Sequence, residues 1–210
     1  ASRSPPAAMH HDLSSDAIGP LNEHGPTSAR RFDPAPTVSA AERAGMLRMP
    51  AEWERHDATW LAWPHHEPDW PGKLGPIPWV YAEIVRALHR YEPVEILCHD
   101  ETVREAAREA LAAHGVRDDR YRLHLAPNDR VWVRDSGPTG VHTPEGGVVW
   151  CNWAFNAWAK YDNYARDAAV GRVFADVSDL ARLEPPRPDR PDERLVLEGG
   201  GIEVNGQGLM

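Results

Sequence analysis

The sequence predicts an α/β fold. From Met49 onward, short apolar runs of strand length alternate with segments whose apolar residues recur at helical spacing, and Pro, Gly or a capping residue bounds most of these runs. Thr59-Trp60-Leu61-Ala62-Trp63, ended by Pro64, is the first predicted strand. A Pro- and Gly-rich loop over 64–78 precedes Val80, Ile84, Leu88 and Tyr91, whose spacing predicts an amphipathic helix over 77–91. Val94 to Cys98 is a second strand. Asp100 N-caps the next helix, which buries Val103, Ala107, Ala110 and Leu111 and stops at Gly115. Tyr121 to Leu125 alternates as a third strand. A hairpin follows, with Gly140 to His142, a turn over 143–147, and Val148 to Trp153. A helix near 165–175 and a Pro-rich connector over 184–191 lead to two short strands, Leu195 to Leu197 and Ile202 to Val204.

Residues 1–48 differ. Ala, Ser and Pro dominate, and Pro5, Pro6, Pro20, Pro26, Pro34 and Pro36 interrupt any period, so too little apolar area is available to offset the entropy of ordering. We expect a disordered leader over 1–48 and one domain over 49–210. At the far end, Asn205-Gly206 begins a hairpin turn that asks for a returning strand, so the domain is read as cut short.

Among the 210 residues, 23 are Lys or Arg and 32 are Asp or Glu, a formal net charge of −9. That balance argues against nucleic-acid binding, which needs a basic face to displace counterions, and suits a small cationic ligand. Two cysteines exclude a disulfide-stapled scaffold and a Cys-rich zinc site. No apolar run reaches the ~18 to 20 residues of a membrane span, and no secretory signal opens the chain, so a cytoplasmic protein is expected. Nine Trp stand against three Phe, bunched at 53–79 and 132–158. Bunched indoles build either a core wall or a ligand pocket, and composition does not choose.

The densest polar block is Asn128 to Pro138, read as a loop at a strand end. One reading is a surface loop whose Asp and Arg residues pair with each other. The other is a carboxylate beside the Trp132 face, which suits a planar cation. Leu197-Glu198-Gly199-Gly200-Gly201 ends a strand on a carboxylate followed by three residues that allow close backbone approach. Cys98 and Cys151 are read as buried structural thiols, since Cys98-His99-Asp100 in a row points three ways. The adjacent pairs His10-His11 and His65-His66 lack the spacing at which two imidazoles meet one metal, so no metal site is expected.

Four segments in order carry a resemblance. Met49-Pro50-Ala51-Glu52-Trp53-Glu54 with Thr59 to Pro64, Asp129 to Pro138, Phe155-Asn156-Ala157-Trp158-Ala159-Lys160-Tyr161, and Leu197 to Val204 together resemble the agmatine deiminase and bacterial peptidylarginine deiminase family. The resemblance implies a pentein fold, an α/β-propeller of five blades, of which this chain would hold roughly two to three. It implies hydrolysis of a guanidine to a ureido group and ammonia, without a cofactor. The expected reaction converts agmatine to N-carbamoylputrescine, in putrescine biosynthesis. The alternatives are a peptidylarginine deiminase acting on protein arginine, or a non-catalytic cation-binding remnant. By similarity Asp135 is the catalytic carboxylate that grips the guanidinium, and Trp132, Glu198 and Trp53 bind substrate. For Trp53 and Trp63, core packing is an equal alternative. The family's Cys nucleophile and its general acid/base His are absent from this chain, so the chain alone is expected to be inactive. The resemblance admits a homo-oligomer of the full-length form.

Overall fold

The computed structural model describes residues 47–207 and 209–210. The leader therefore lies outside the described residues, except for Leu47 and Arg48.

Three parallel strands form the first sheet in the order β1 (Thr59–Ala62), β2 (Val94–Cys98), β3 (Tyr121–Leu125). Leu61 aligns with Ile96, and Ile96 with Leu123. The crossovers are helices, as parallel connections require. Helix α1 spans Ile77–Leu88 and joins β1 to β2, and α2 spans Glu101–Ala113 and joins β2 to β3. Asp100 caps α2 by accepting from Val103 N at 2.9 Å, and Gly115, at φ +66°, allows the chain to leave. Both helices cover one face of the sheet, where Trp63, Val85, Ile96 and Leu111 share a buried core.

The opposite face is covered by α3 (Val133–Ser136) with Val131 just before it, and by α4 (Val170–Ser178), through Val131, Val133, Val170 and Phe174 packed with Ala62 and Leu97. A parallel sheet buried on both faces reads as a continuous apolar run, and all five residues of β2 are buried. One of these is Glu95. It accepts from His124 Nε2 at 2.6 Å and Arg122 Nε at 2.9 Å. Burial alone would push its carboxyl up, but the His124 bond and the Arg122 charge outweigh this and hold it below the usual carboxylate value.

The second sheet has the order β4 (Thr139–His142), β5 (Val148–Cys151), β6 (Arg182–Leu183). Strands β4 and β5 form the expected hairpin, whereas β6 runs parallel to β5 and is too short to show a period. Arg48 extends the β4 edge through an antiparallel bridge to His142. Phe174 of α4 lies between the sheets, stacked on Trp60 at 4.0 Å and meeting Trp150 edge-on at 5.6 Å.

Three expectations are corrected. The segment after Trp132 is a short helix rather than a loop, because Asp135 N and Ser136 N both turn back to Trp132 O. Leu195 to Leu197 and Ile202 to Val204 are not strands. Val196 makes one isolated bridge to Ala154, and no neighbouring strand among the described residues offers a ladder. At Asn205-Gly206 the expected turn is present: Asn205 Oδ1 accepts from Gln207 N and Leu209 N, and Asn205 N donates to Leu209 O at 3.1 Å. The helix near 165–175 begins later, at Val170, after a 3-10 turn over Asp167–Ala169. Among the described residues no helix is long and apolar enough to cross a membrane.

Candidate active site

Helix α3 and the glycine turn at Gly199–Gly201 are brought together although 65 residues separate their contacting groups. Asp135 Oδ1 accepts from Gly200 N at 3.1 Å, and Arg134 Nε donates to Gly199 O at 3.2 Å. Arg134 also pairs with Glu52 at 2.6 Å, so one guanidinium ties the 51–54 segment, α3 and the glycine turn together. The approach is close enough that a Cβ on Gly200 would overlap the Asp135 carboxylate, and one on Gly199 would overlap Arg134 O. Glycine at both positions is thus a packing requirement.

The carboxylate of Asp135 is half-buried, and its Oδ1 is held by the glycine turn. Glu198, also half-buried, begins that turn and accepts through its backbone oxygen from Gly201 N at 2.9 Å. The structure therefore brings Asp135 and the Glu198 segment to one place. Trp132 starts α3, is 42 % exposed, and tilts against Trp70 at 5.8 Å. It lines a cavity of about 790 Å³ with Asp69, Arg130, Trp158, Lys160 and Tyr161. Asp135 and Glu198 are not among the residues lining that cavity. Trp53 is 77 % exposed and lies next to Glu52, outside the cavity. Trp63 is 1 % exposed and packs edge-on against Tyr81, which makes it a core residue. Of the bunched tryptophans, Trp60, Trp63 and Trp150 build core while Trp132 and Trp158 line a cavity.

Asp129 has a different task from Asp135. Its Oδ2 accepts from Arg166 N and Asp167 N, while Asp167 Oδ1 accepts from Asp129 N at 2.7 Å and Arg130 N at 3.1 Å. This reciprocal clasp fixes the loop that delivers Trp132. Burial raises the Asp167 carboxyl above its usual value despite those two backbone donors.

Sequence reading missed two features. Arg130 is almost fully buried, donates to Asn163 O at 2.7 Å and stacks its guanidinium 4.1 Å over Tyr161. Ala157, Trp158 and Ala159 are consecutive left-handed residues at φ +52°, +58° and +52°, none of them glycine. Asn156 stabilises this turn by accepting from Ala159 N, and its only local signal is that asparagine. Neither cysteine is an activated nucleophile. Burial pushes Cys98 up to about 12 and Cys151 up to about 11, so both are protonated at neutral pH.

Comparison with known proteins bears on what this arrangement serves. The agmatine deiminase of Stutzerimonas stutzeri is 34 % identical over 180 residues, covering 83 % of this chain and 45 % of its own length. That of Pseudomonas aeruginosa is 35 % identical over 177 residues, covering 82 % of this chain and 45 % of its own. The chain thus spans less than half the length of these relatives. The solved agmatine deiminase of Enterococcus faecalis superposes with a TM-score of 0.68 at 24 % identity, covering 81 % of this chain and 44 % of that one, a likeness of fold. The family described as Porphyromonas-type peptidyl-arginine deiminase matches residues 48–210, the same stretch that holds both sheets, α3 and the glycine turn. With that match over most of its length, the chain belongs to the Porphyromonas-type peptidyl-arginine deiminase family.

Proposed function

We propose that this chain is the N-terminal part of a guanidine-hydrolysing deiminase that converts agmatine to N-carbamoylputrescine and ammonia, and that its two sheets are blades of a five-bladed pentein propeller. The observation that carries the reading is the junction of Asp135 with the Glu198–Gly201 turn. A guanidinium is planar and permanently charged, so its carbon becomes a useful electrophile only when fixed acceptors grip its nitrogens. Asp135 has one oxygen held by Gly200 N, which leaves its second to accept from a guanidinium N–H. Glu198 supplies the second carboxylate, and Trp132 offers a ring face to the cation.

The covalent steps fall to groups outside this chain. A thiolate adds to the guanidinium carbon, a proton goes to the departing nitrogen, ammonia leaves, and water then releases the ureido product. Cys98 and Cys151 lie buried in the core and do not serve as that thiolate.

The cavity beside Trp132 favours a second reading. At about 790 Å³ it is larger than a four-carbon amine tail needs, and it falls in the range of sites for larger ligands. An arginine side chain within a peptide would use that space.

Calorimetric titration separates the readings. Agmatine is expected to bind this chain weakly, and Asp135→Asn is expected to weaken binding at least about tenfold, the loss of one charge-assisted hydrogen bond. Unchanged affinity in that variant would sink the assignment of Asp135. A blocked arginyl peptide that binds better than agmatine would select the second reading. Ammonia release from guanidines by this chain alone would overturn the placement of the nucleophile.

A further inference from the structure

A second cleft, of about 460 Å³, opens where the chain leaves all three parallel strands. His65 comes from the loop after β1, His99 follows β2, and Asn128 comes from the loop after β3. The space beyond the carboxyl ends of parallel strands is where open α/β sheets take ligands. His99 Nδ1 lies 2.7 Å from Asn128 O, which can only accept, and 3.4 Å from Asn128 N, and the shorter contact puts the proton on Nδ1. Its Nε2 therefore presents a lone pair, met by Arg166 Nη1 at 3.2 Å. Arg166 is exposed, and no carboxylate among the described residues lies within ion-pair distance of it. His65 stacks on His99 with centroids 4.4 Å apart and planes at 22°. Burial, more than any other influence, lowers the His65 imidazole below its usual range.

We propose that this cleft binds a small carboxylate with uptake of one proton at His99. The anion takes the N–H groups of Arg166 and displaces that guanidinium from His99 Nε2. A proton from solvent then occupies Nε2, which donates to the second carboxylate oxygen, so one anion and one proton enter together. The other charged or titratable groups lining the cleft are His66 from the β1 loop, Asp129 after β3, and Asp162 and Tyr164 from the segment that carries Arg166, while Asp100, next in sequence to His99, caps α2. Asp129 already spends Oδ2 on two backbone donors, and Asp162 is exposed at the rim. Two carboxylates at its border suit a monoanion and oppose a dianion.

The probe is sodium acetate, followed through the imidazole signals of the whole chain by NMR at pH 6 and pH 8, with sodium chloride at equal ionic strength and inorganic phosphate beside it. The expected result is a saturable shift of the His99 and His65 signals with acetate alone, its midpoint about fivefold to tenfold lower at pH 6. Arg166→Gln is expected to raise that midpoint about tenfold, with the unfolding midpoint unchanged because the side chain is exposed. Equal shifts with chloride, a midpoint independent of pH, or acetate binding by Arg166→Gln as tight as by the parent would each overturn the proposal. Phosphate that binds at pH 8 as tightly as acetate would overturn the choice of a monoanion.

Discussion

The exchange of backbone bonds between Asp129 and Asp167 limits what either carboxylate can do elsewhere. Asp167 is 1 % exposed, and its folded value is raised above the ordinary 3.8. The sign follows directly. The stability this group contributes is fully present below about pH 3.8 and is lost as pH rises through the raised value, above which the fold carries a buried charge. Asp167→Asn keeps an oxygen for the N–H groups of Asp129 and Arg130 without that charge. It should be neutral or stabilising at pH 7 in urea denaturation. Asp167→Ala strands both donors and should cost about 1–3 kcal/mol. Strain at Ala159 gives a second test. It is exposed at φ +52°, a region that disfavours any side chain with a Cβ. Ala159→Gly should raise stability by about 1 kcal/mol, less the extra chain entropy of glycine, and thermal unfolding would register it.

Between elements, the contact that matters is α3 on the glycine turn. Gly200→Ala places a methyl on the Asp135 carboxylate, and the turn must then move away from α3. Overpacking of this kind costs about 1–3 kcal/mol, and it should also abolish whatever guanidine affinity titration detects in the parent. If stability falls while affinity stays, the turn does not position Asp135. The elements differ in how plainly they could be read. Strands β1 to β3 and helices α1 and α2 were legible because each shows an apolar run of strand length or a repeated period, and Pro, Gly or a cap bounds most of them. Helix α3 was not. Four residues show no helical period, and only three backbone bonds close the turn, two to Trp132 O and one from Gly137 N to Val133 O. Leu195 to Leu197 misled for the opposite reason, since its apolar composition suits a strand but a strand exists only beside a partner.

At the scale of the whole molecule, the two thiols report on the cores from different places. Cys98 belongs to the core between the first sheet and α1 and α2, and Cys151 to that of the second sheet. With burial holding them near 12 and 11, neither should react with a disulfide reagent at pH 8 in the folded chain, and both should react in denaturant. Rapid labelling of Cys151 alone would mean that the second sheet opens independently of the first. The two sheets meet through Phe174, between Trp60 and Trp150, a junction of residues that no single segment displays.

The sequence by itself determined the α/β class, the order of most elements and the polar segments worth attention, because strand and helix periods, caps and glycines act over a few residues. Only the tertiary structure decided that Asp135 meets Gly200, that Asp129 is spent on backbone donors, and that Trp63 is core while Trp132 faces a cavity. Those outcomes depend on which surfaces of distant segments pack together, and a local pattern carries no record of the partner it will be packed against.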